Sequence, residues 1–182
     1  MTEVLLFVIA SFVVLFVATA HLSSLAVKLL PVAVFFLVFY SYTKRFTWLC
    51  HFILGLTIAL APMGGWVAVT GYANWTTYVF YLSIALWTTG FDIIYSCQDI
   101  EIDMKQGLYS VPSRFGITRA LWIARACHLA TAVGLTSLFF ITDLSWWYFA
   151  GLVLSYAILF YEHSIISEKD MSRMNTAFFT MN

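Results

Sequence analysis

Six apolar stretches, at about residues 4–20, 25–43, 49–70, 76–98, 120–141 and 145–161, constrain this chain more than any other feature. Each approaches the ~20 residues with which an α-helix crosses a ~30 Å hydrocarbon core. Charged residues make up only 10% of the 182 residues and hydrophobic ones 62%. A soluble domain carries roughly 25% charged residues, and no globular core of this length could hide so much apolar surface. The expectation is an all-α, polytopic membrane helical bundle with about six transmembrane helices. The lipid bilayer is its partner, and no nucleic-acid partner is expected.

The opening "MTEVLLFVIASFVVLFVATA" lacks a basic n-region, and its apolar run exceeds a signal-peptide core, so it is expected to stay as a first span. Cys50, Cys97 and Cys127 lie within or at the ends of spans in no metal-ligand spacing and read as small buried apolar residues. With the N-terminus inside, seven basic residues fall on the inner side: Lys44, Arg45, Lys105, Arg114, Arg119, Lys169 and Arg173. The opposite loops, near 21–24, 71–75 and 142–144, hold none, and Lys28 is close enough to an outer end to snorkel. By the positive-inside rule the inner side is cytoplasmic.

The outer turns "HLSS", "GYANW" and "TDLS" are short, whereas the inner connections carry "KRFT" and a longer acidic passage. Chemistry therefore belongs on the inner side. The third span contains "APMGGW", where Pro62, Gly64 and Gly65 predict a kink or a locally unwound turn. Helix packing and a cavity wall explain such a feature equally well. After Tyr161, "EHSIISEKD" reads as an inner loop, and "MNTAFFTMN" reads as the start of a further span.

The acidic passage, "GFDIIYSCQDIEIDMKQGLYSVPSRFG", sets Asp92, Asp99, Glu101 and Asp103 at the edge of an apolar helix, followed by Lys105 and Arg114. On a continuous helix Asp92 lies about 20° and Asp103 about 40° from Asp99, so the three share a face with Tyr95 and Ser96. Asp92 would lie about 10 Å inward from the helix end. An aspartate deep in a span costs about 2.5–3.5 kcal/mol on insertion scales. Carboxylates one turn apart repel unless a cation joins them. Magnesium takes one or two carboxylates and completes its shell with water and phosphate oxygens. Lys105 and Arg114 could hold the same phosphates directly. The constellation suits a magnesium-bridged phosphate better than a proton relay or a solvated helix end.

A second inner element, "FYSYTKRFT", places Tyr40 and Lys44 one turn apart on a helical face. Interfacial anchoring and phosphate binding both account for it beside an acidic site. His21, His51, His128 and His163 show no i, i+4 pairing of a helical zinc site and read as satisfied or solvated histidines.

"DIIYSCQDIEIDMKQGLYSVPSRFG" resembles the second aspartate-rich motif of the UbiA superfamily of intramembrane aromatic prenyltransferases, and "YSYTKRFT" resembles its Tyr-x-x-x-Lys element. The similarity is greatest to the 4-hydroxybenzoate polyprenyltransferase group, including menaquinone-pathway members. The resemblance implies a bundle of about nine helices around a membrane-open cavity. It implies Mg²⁺-dependent transfer of a polyprenyl group from an allylic polyprenyl diphosphate to an aromatic acceptor, 4-hydroxybenzoate or a related ring, in quinone biosynthesis. By that similarity Asp99 and Asp103 bind Mg²⁺ and join Asp92 as catalytic residues. Lys44, Lys105 and Arg114 neutralise the diphosphate, and Tyr40 helps hold it. The implied location is the bacterial inner membrane, with the site on the cytoplasmic side.

The family's first acidic motif, Asn-Asp-x-x-Asp-x-x-x-Asp, has no counterpart, since Glu3 is the only acidic residue before Asp92. Residues 1–182 therefore read as a single prenyltransferase-like domain incomplete at both ends, with N-terminal helices of the same protein expected as partners. Alone, the chain is expected to be inactive. The competing class is a small ion- or proton-coupled membrane transporter built around the intramembrane Asp92. That class gives no reason for Asp99, Asp103, Lys105 and Arg114 to gather at one end.

Overall fold

A computed structural model describes residues 2–168 and 170–173. Lys169 and the "MNTAFFTMN" segment lie outside these residues. In chain order the elements are α1 (Thr2–Ala20), α2 (Ser24–Thr43), α3 (Cys50–Thr70), α4 (Trp75–Ser96), a 3₁₀ turn (Cys97–Asp99), α5 (Ile100–Gln106), α6 (Val111–Phe115), α7 (Ile117–Ile141) and α8 (Trp146–Ser164). The six long helices fall on the six apolar stretches. Among the described residues five segments are long and apolar enough to cross a membrane, the fourth taking in α4, the 3₁₀ turn and α5 to Gln106. The sixth, α8, has 19 residues.

Helix α4 is the centre of the bundle, packed between α3 and α7, while α1 lies at the edge against α2. Lipid is as apolar as leucine, so helices in a membrane associate by close packing and interhelical hydrogen bonds rather than by the hydrophobic effect. Both are present. A Cβ at Gly55 would stand 2.2 Å from the Ala85 carbonyl oxygen, so only glycine lets α3 approach α4 there. One at Gly90 would stand 2.3 Å from the His128 ring of α7. Thr131 Oγ1 donates to the Ser83 carbonyl at 3.0 Å, and Tyr81 Oη donates to the Leu56 carbonyl at 3.0 Å. At its N-terminus Ser23 caps α2 and its hydroxyl donates to the Val67 carbonyl at 2.8 Å, tying the first hairpin to α3.

The three cysteines are buried and free, as expected of apolar filling residues. In two places the structure departs from the sequence reading, and in a third it narrows it. The fourth span is not one continuous helix to Asp103, because the 3₁₀ turn at Cys97–Asp99 separates α4 from α5. At about 3.0 rather than 3.6 residues per turn, it changes the angular spacing between Asp92 and Asp99 from that of an unbroken α-helix. Helix α3 runs unbroken through Pro62, Gly64 and Gly65, so of the two alternatives, a kink or an unwound turn, the unwound turn does not form. Proline removes one backbone bond, and continuing the helix keeps the remaining groups satisfied where water is absent. Finally, Glu162 and His163 belong to α8 rather than to a loop. Glu162 is buried, and His163 Nε2 lies 2.8 Å from His128 Nδ1 on α7, which holds the last turn in place.

Candidate active site

The α2–α3 connection and the connection between α4 and α7 meet at one end of the bundle. The Tyr109 amide donates to the Lys44 carbonyl at 2.7 Å, and Cys50 Sγ donates to the Tyr109 carbonyl at 3.4 Å. Trp48 and Phe115 meet edge to face with centroids 5.1 Å apart. Local sequence shapes the second connection. Ser110 caps α6 with its hydroxyl on the Ser113 amide, and Pro112 occupies the first turn, where no amide is required. Beneath it, Val111 joins a buried apolar cluster with Ile93, Ile94, Cys97, Leu121 and Ile166. This cluster anchors the connection to α4 and α7.

Asp103 is 1% exposed. Its Oδ1 lies 2.7 Å from Lys44 Nζ, so the ion pair joins α5 to the end of α2. Its Oδ2 is buried with no hydrogen-bond partner among the described residues. Asp92 is held separately: its Oδ2 lies 2.6 Å from His51 Nδ1 on α3. Asp99, in the 3₁₀ turn, is half-buried and makes no ion pair among the described residues. Lys105 faces Glu101 at 4.0 Å on the exposed side of α5. Arg114 lines an open depression of about 610 Å³ together with Met104, Tyr109 and Ser113. Tyr40 is half-buried one turn before Lys44, and its carbonyl accepts from Thr43 Oγ1 at 2.6 Å.

The fold thus brings Lys44, which the sequence places in a different element, directly onto Asp103. Asp92 and Asp103 each meet a side chain that flanks the α2–α3 connection, Asp92 with His51 at the start of α3 and Asp103 with Lys44 at the end of α2. No group of three or more His, Cys, Asp or Glu able to hold a metal occurs among the described residues. A magnesium ion needs fewer, since one or two carboxylates with water and phosphate oxygens complete its shell. The orphaned Asp103 Oδ2 and the unpaired Asp99 carboxylate, one turn apart in sequence, supply hard oxygen donors of that kind. An orphaned buried carboxylate oxygen is costly in an apolar surrounding, and a cation would remove that cost.

One participant escaped the sequence reading. His51, taken as a satisfied histidine, is satisfied by the acidic site itself, through Asp92 and the Val111 amide. Its partners lie 41 and 60 residues away, and no local spacing points to them.

Comparison with known proteins gives a consistent answer. Residues 1–182 match the UbiA prenyltransferase family. The chain is 38% identical over 120 residues to the mitochondrial 4-hydroxybenzoate polyprenyltransferase of Arabidopsis thaliana, covering 62% of this chain and 28% of that protein. It is 27% identical over 167 residues to the 4-hydroxybenzoate octaprenyltransferase of Vibrio campbellii, covering 92% of this chain and 58% of the relative. The Alcanivorax borkumensis 4-hydroxybenzoate octaprenyltransferase is 32% identical over 136 residues, covering 73% of this chain and 46% of the relative. The chain thus spans about 28–58% of the length of these relatives. In fold it is similar to the apo structure of a UbiA homolog from Aeropyrum pernix, with a TM-score of 0.89, 23% identity, and coverage of 99% of this chain and 68% of that one. The resemblance carried by "YSYTKRFT" and the acidic passage is borne out, and this integral membrane chain belongs to the UbiA prenyltransferase family.

Proposed function

We propose that the protein transfers a polyprenyl group from an allylic polyprenyl diphosphate to a ring carbon of an aromatic acceptor, 4-hydroxybenzoate or a related ring, in quinone biosynthesis. One observation carries this reading: in a chain whose relatives bear that activity in their names, Lys44 closes on Asp103 beside an orphaned carboxylate oxygen and the unpaired Asp99.

Asp99 and Asp103 would hold Mg²⁺. When bound, the ion supplies positive charge that stabilises the departing diphosphate. Lys44 changes partner from Asp103 to a phosphate oxygen. Lys105 and Arg114 add charge at the rim, where their exposure lets them reach a ligand. The Tyr40 hydroxyl, one turn from Lys44, helps to hold the diphosphate. The allylic C–O bond breaks, and its electron pair leaves with the diphosphate. The ring carbon then forms the new C–C bond to the allylic cation and afterwards loses its proton. Apolar helix faces sheath the polyprenyl chain and exclude the water that would otherwise capture the cation. Much of the catalysis lies in placing positive charge where the leaving group becomes negative. The basic residues around both connections favour the cytoplasmic side of a bacterial inner membrane.

The test is Asp99→Asn in the protein expressed from its full coding sequence, assayed with a radiolabelled polyprenyl diphosphate and 4-hydroxybenzoate across a magnesium titration. The expected result is a loss of transfer that extra magnesium partly restores. Unchanged transfer overturns the assignment. Ion flux that depends on Asp92, without prenyl transfer, identifies a transporter.

A further inference from the structure

We infer that His51 is a positioning residue of this site: as the neutral Nδ1–H tautomer it orients the Asp92 carboxylate and locks it to the connection that carries Arg114. The ring is 3% exposed and sits at the start of α3. Its Nε2 lies 3.2 Å from the Val111 amide nitrogen. A backbone amide can only donate, so Nε2 must offer its lone pair. The ring proton is therefore on Nδ1, which lies 2.6 Å from Asp92 Oδ2 and donates to it. One ring thus fixes a carboxylate on α4 and the first residue of α6 at once.

The surrounding bonds show that this link is part of a built junction. Thr89 Oγ1, on α4, donates to the His51 carbonyl at 3.3 Å, holding the histidine backbone against the helix that bears Asp92. Residues 44 and 50 hold Tyr109 from either side of its peptide, two positions before the Val111 amide. Val111 opens the five-residue α6, which ends with Arg114 and Phe115. The reach of Arg114 toward a ligand thus depends on where His51 holds Val111. Meanwhile the Asp92 side chain stays 24% exposed, so the carboxylate remains accessible while its orientation is fixed. Orienting hydrogen bonds of this kind set the geometry of reactive groups without touching substrate. The inference rests on the prenyltransferase reading only for what Asp92 and Arg114 act upon, and the tautomer and the junction stand apart from it.

The experiment separates the two. Imidazole ¹⁵N shifts of the ¹⁵N-histidine-labelled protein in lipid nanodiscs at neutral pH should show His51 as the Nδ1–H tautomer. An Nε2–H ring or an imidazolium overturns the inference whatever the enzyme does. Next come His51→Asn, whose amide reaches only the Nδ1 position, and His51→Gln, whose amide reaches only the Nε2 position. Hydrogen exchange at the Val111 amide should rise about tenfold in His51→Asn, as for one lost hydrogen bond, and stay near wild type in His51→Gln. Equal exchange in both variants overturns the junction. In the transfer assay both variants should lower kcat by about 10- to 100-fold, the range for removing an orienting partner, and His51→Asn, which frees Val111 and with it Arg114, should raise KM for the diphosphate more than His51→Gln does. A purely structural histidine would instead lower the amount of folded protein and leave the kcat of the folded fraction intact, which also overturns the inference. If no prenyl transfer occurs even in wild type, the functional reading fails while the NMR and exchange results still decide the role of His51.

Discussion

Lys44 reaches from the end of α2 to Asp103 on α5, with Nζ and Oδ1 2.7 Å apart, while the other carboxylate oxygen is buried without a hydrogen-bond partner among the described residues. The pair links two connections that are distant in sequence. Breaking it by Lys44→Ala should destabilise the fold by about 3 kcal/mol. This is the low end for removing one partner of a buried pair, because the Lys44 side chain remains 33% exposed. Lys44→Met with Asp103→Leu should cost less than Lys44→Ala alone, since no uncompensated charge remains. A double-mutant cycle on unfolding in detergent measures the difference. A double variant as unstable as the single one contradicts this account.

Asp99 should separate binding from stability. It is half-buried and makes no ion pair among the described residues, so Asp99→Asn should change unfolding free energy by no more than about 0.5 kcal/mol. The same substitution should weaken magnesium-dependent retention of a polyprenyl diphosphate at least about tenfold, as for loss of a charged ligand to the bound ion. Filter binding with and without EDTA reads the second quantity. Retention that ignores both EDTA and the substitution removes Asp99 from the metal site.

The basic residues should not contribute equally. Lys44 is engaged at the buried carboxylate, whereas Lys105 sits 79% exposed and 4.0 Å from Glu101. Exposed pairs of that kind are worth about 0.2–1 kcal/mol. Lys105→Ala should therefore reduce diphosphate affinity only a few-fold, with Lys44→Ala costing considerably more. Salt should weaken the Lys105 contribution first, because exposed charges are screened beyond about 10 Å at 0.1 M. Titrations at two ionic strengths would show whether that order holds.

Helix contact through small residues predicts a sharp positional contrast. Gly55→Ala forces a Cβ to within 2.2 Å of the Ala85 carbonyl and should destabilise by about 1–3 kcal/mol, as overpacking does. Gly64→Ala meets nothing within 4 Å and should be neutral or stabilising by up to about 1 kcal/mol through helix propensity. Thermal melts of the two variants in one detergent provide the comparison. Equal effects would mean that the close approach of α3 and α4 does not hold in the membrane.

The membrane helices were legible in the sequence because the bilayer imposes a simple rule: apolar runs near 20 residues become helices. The acidic passage was legible for a related reason. Asp92, Asp99 and Asp103 in an oily chain demand a cause, and their spacing suggested a cation and phosphate. Tertiary structure decided how those residues are deployed. A 3₁₀ turn formed at Cys97–Asp99 between α4 and α5, Lys44 came to Asp103, and His51 came to Asp92 and Val111. Hydropathy reports each residue's preference for lipid or water, one segment at a time. Ion pairs and hydrogen bonds between residues 41 to 60 positions apart depend on how helices pack, and only the assembled bundle contains that information.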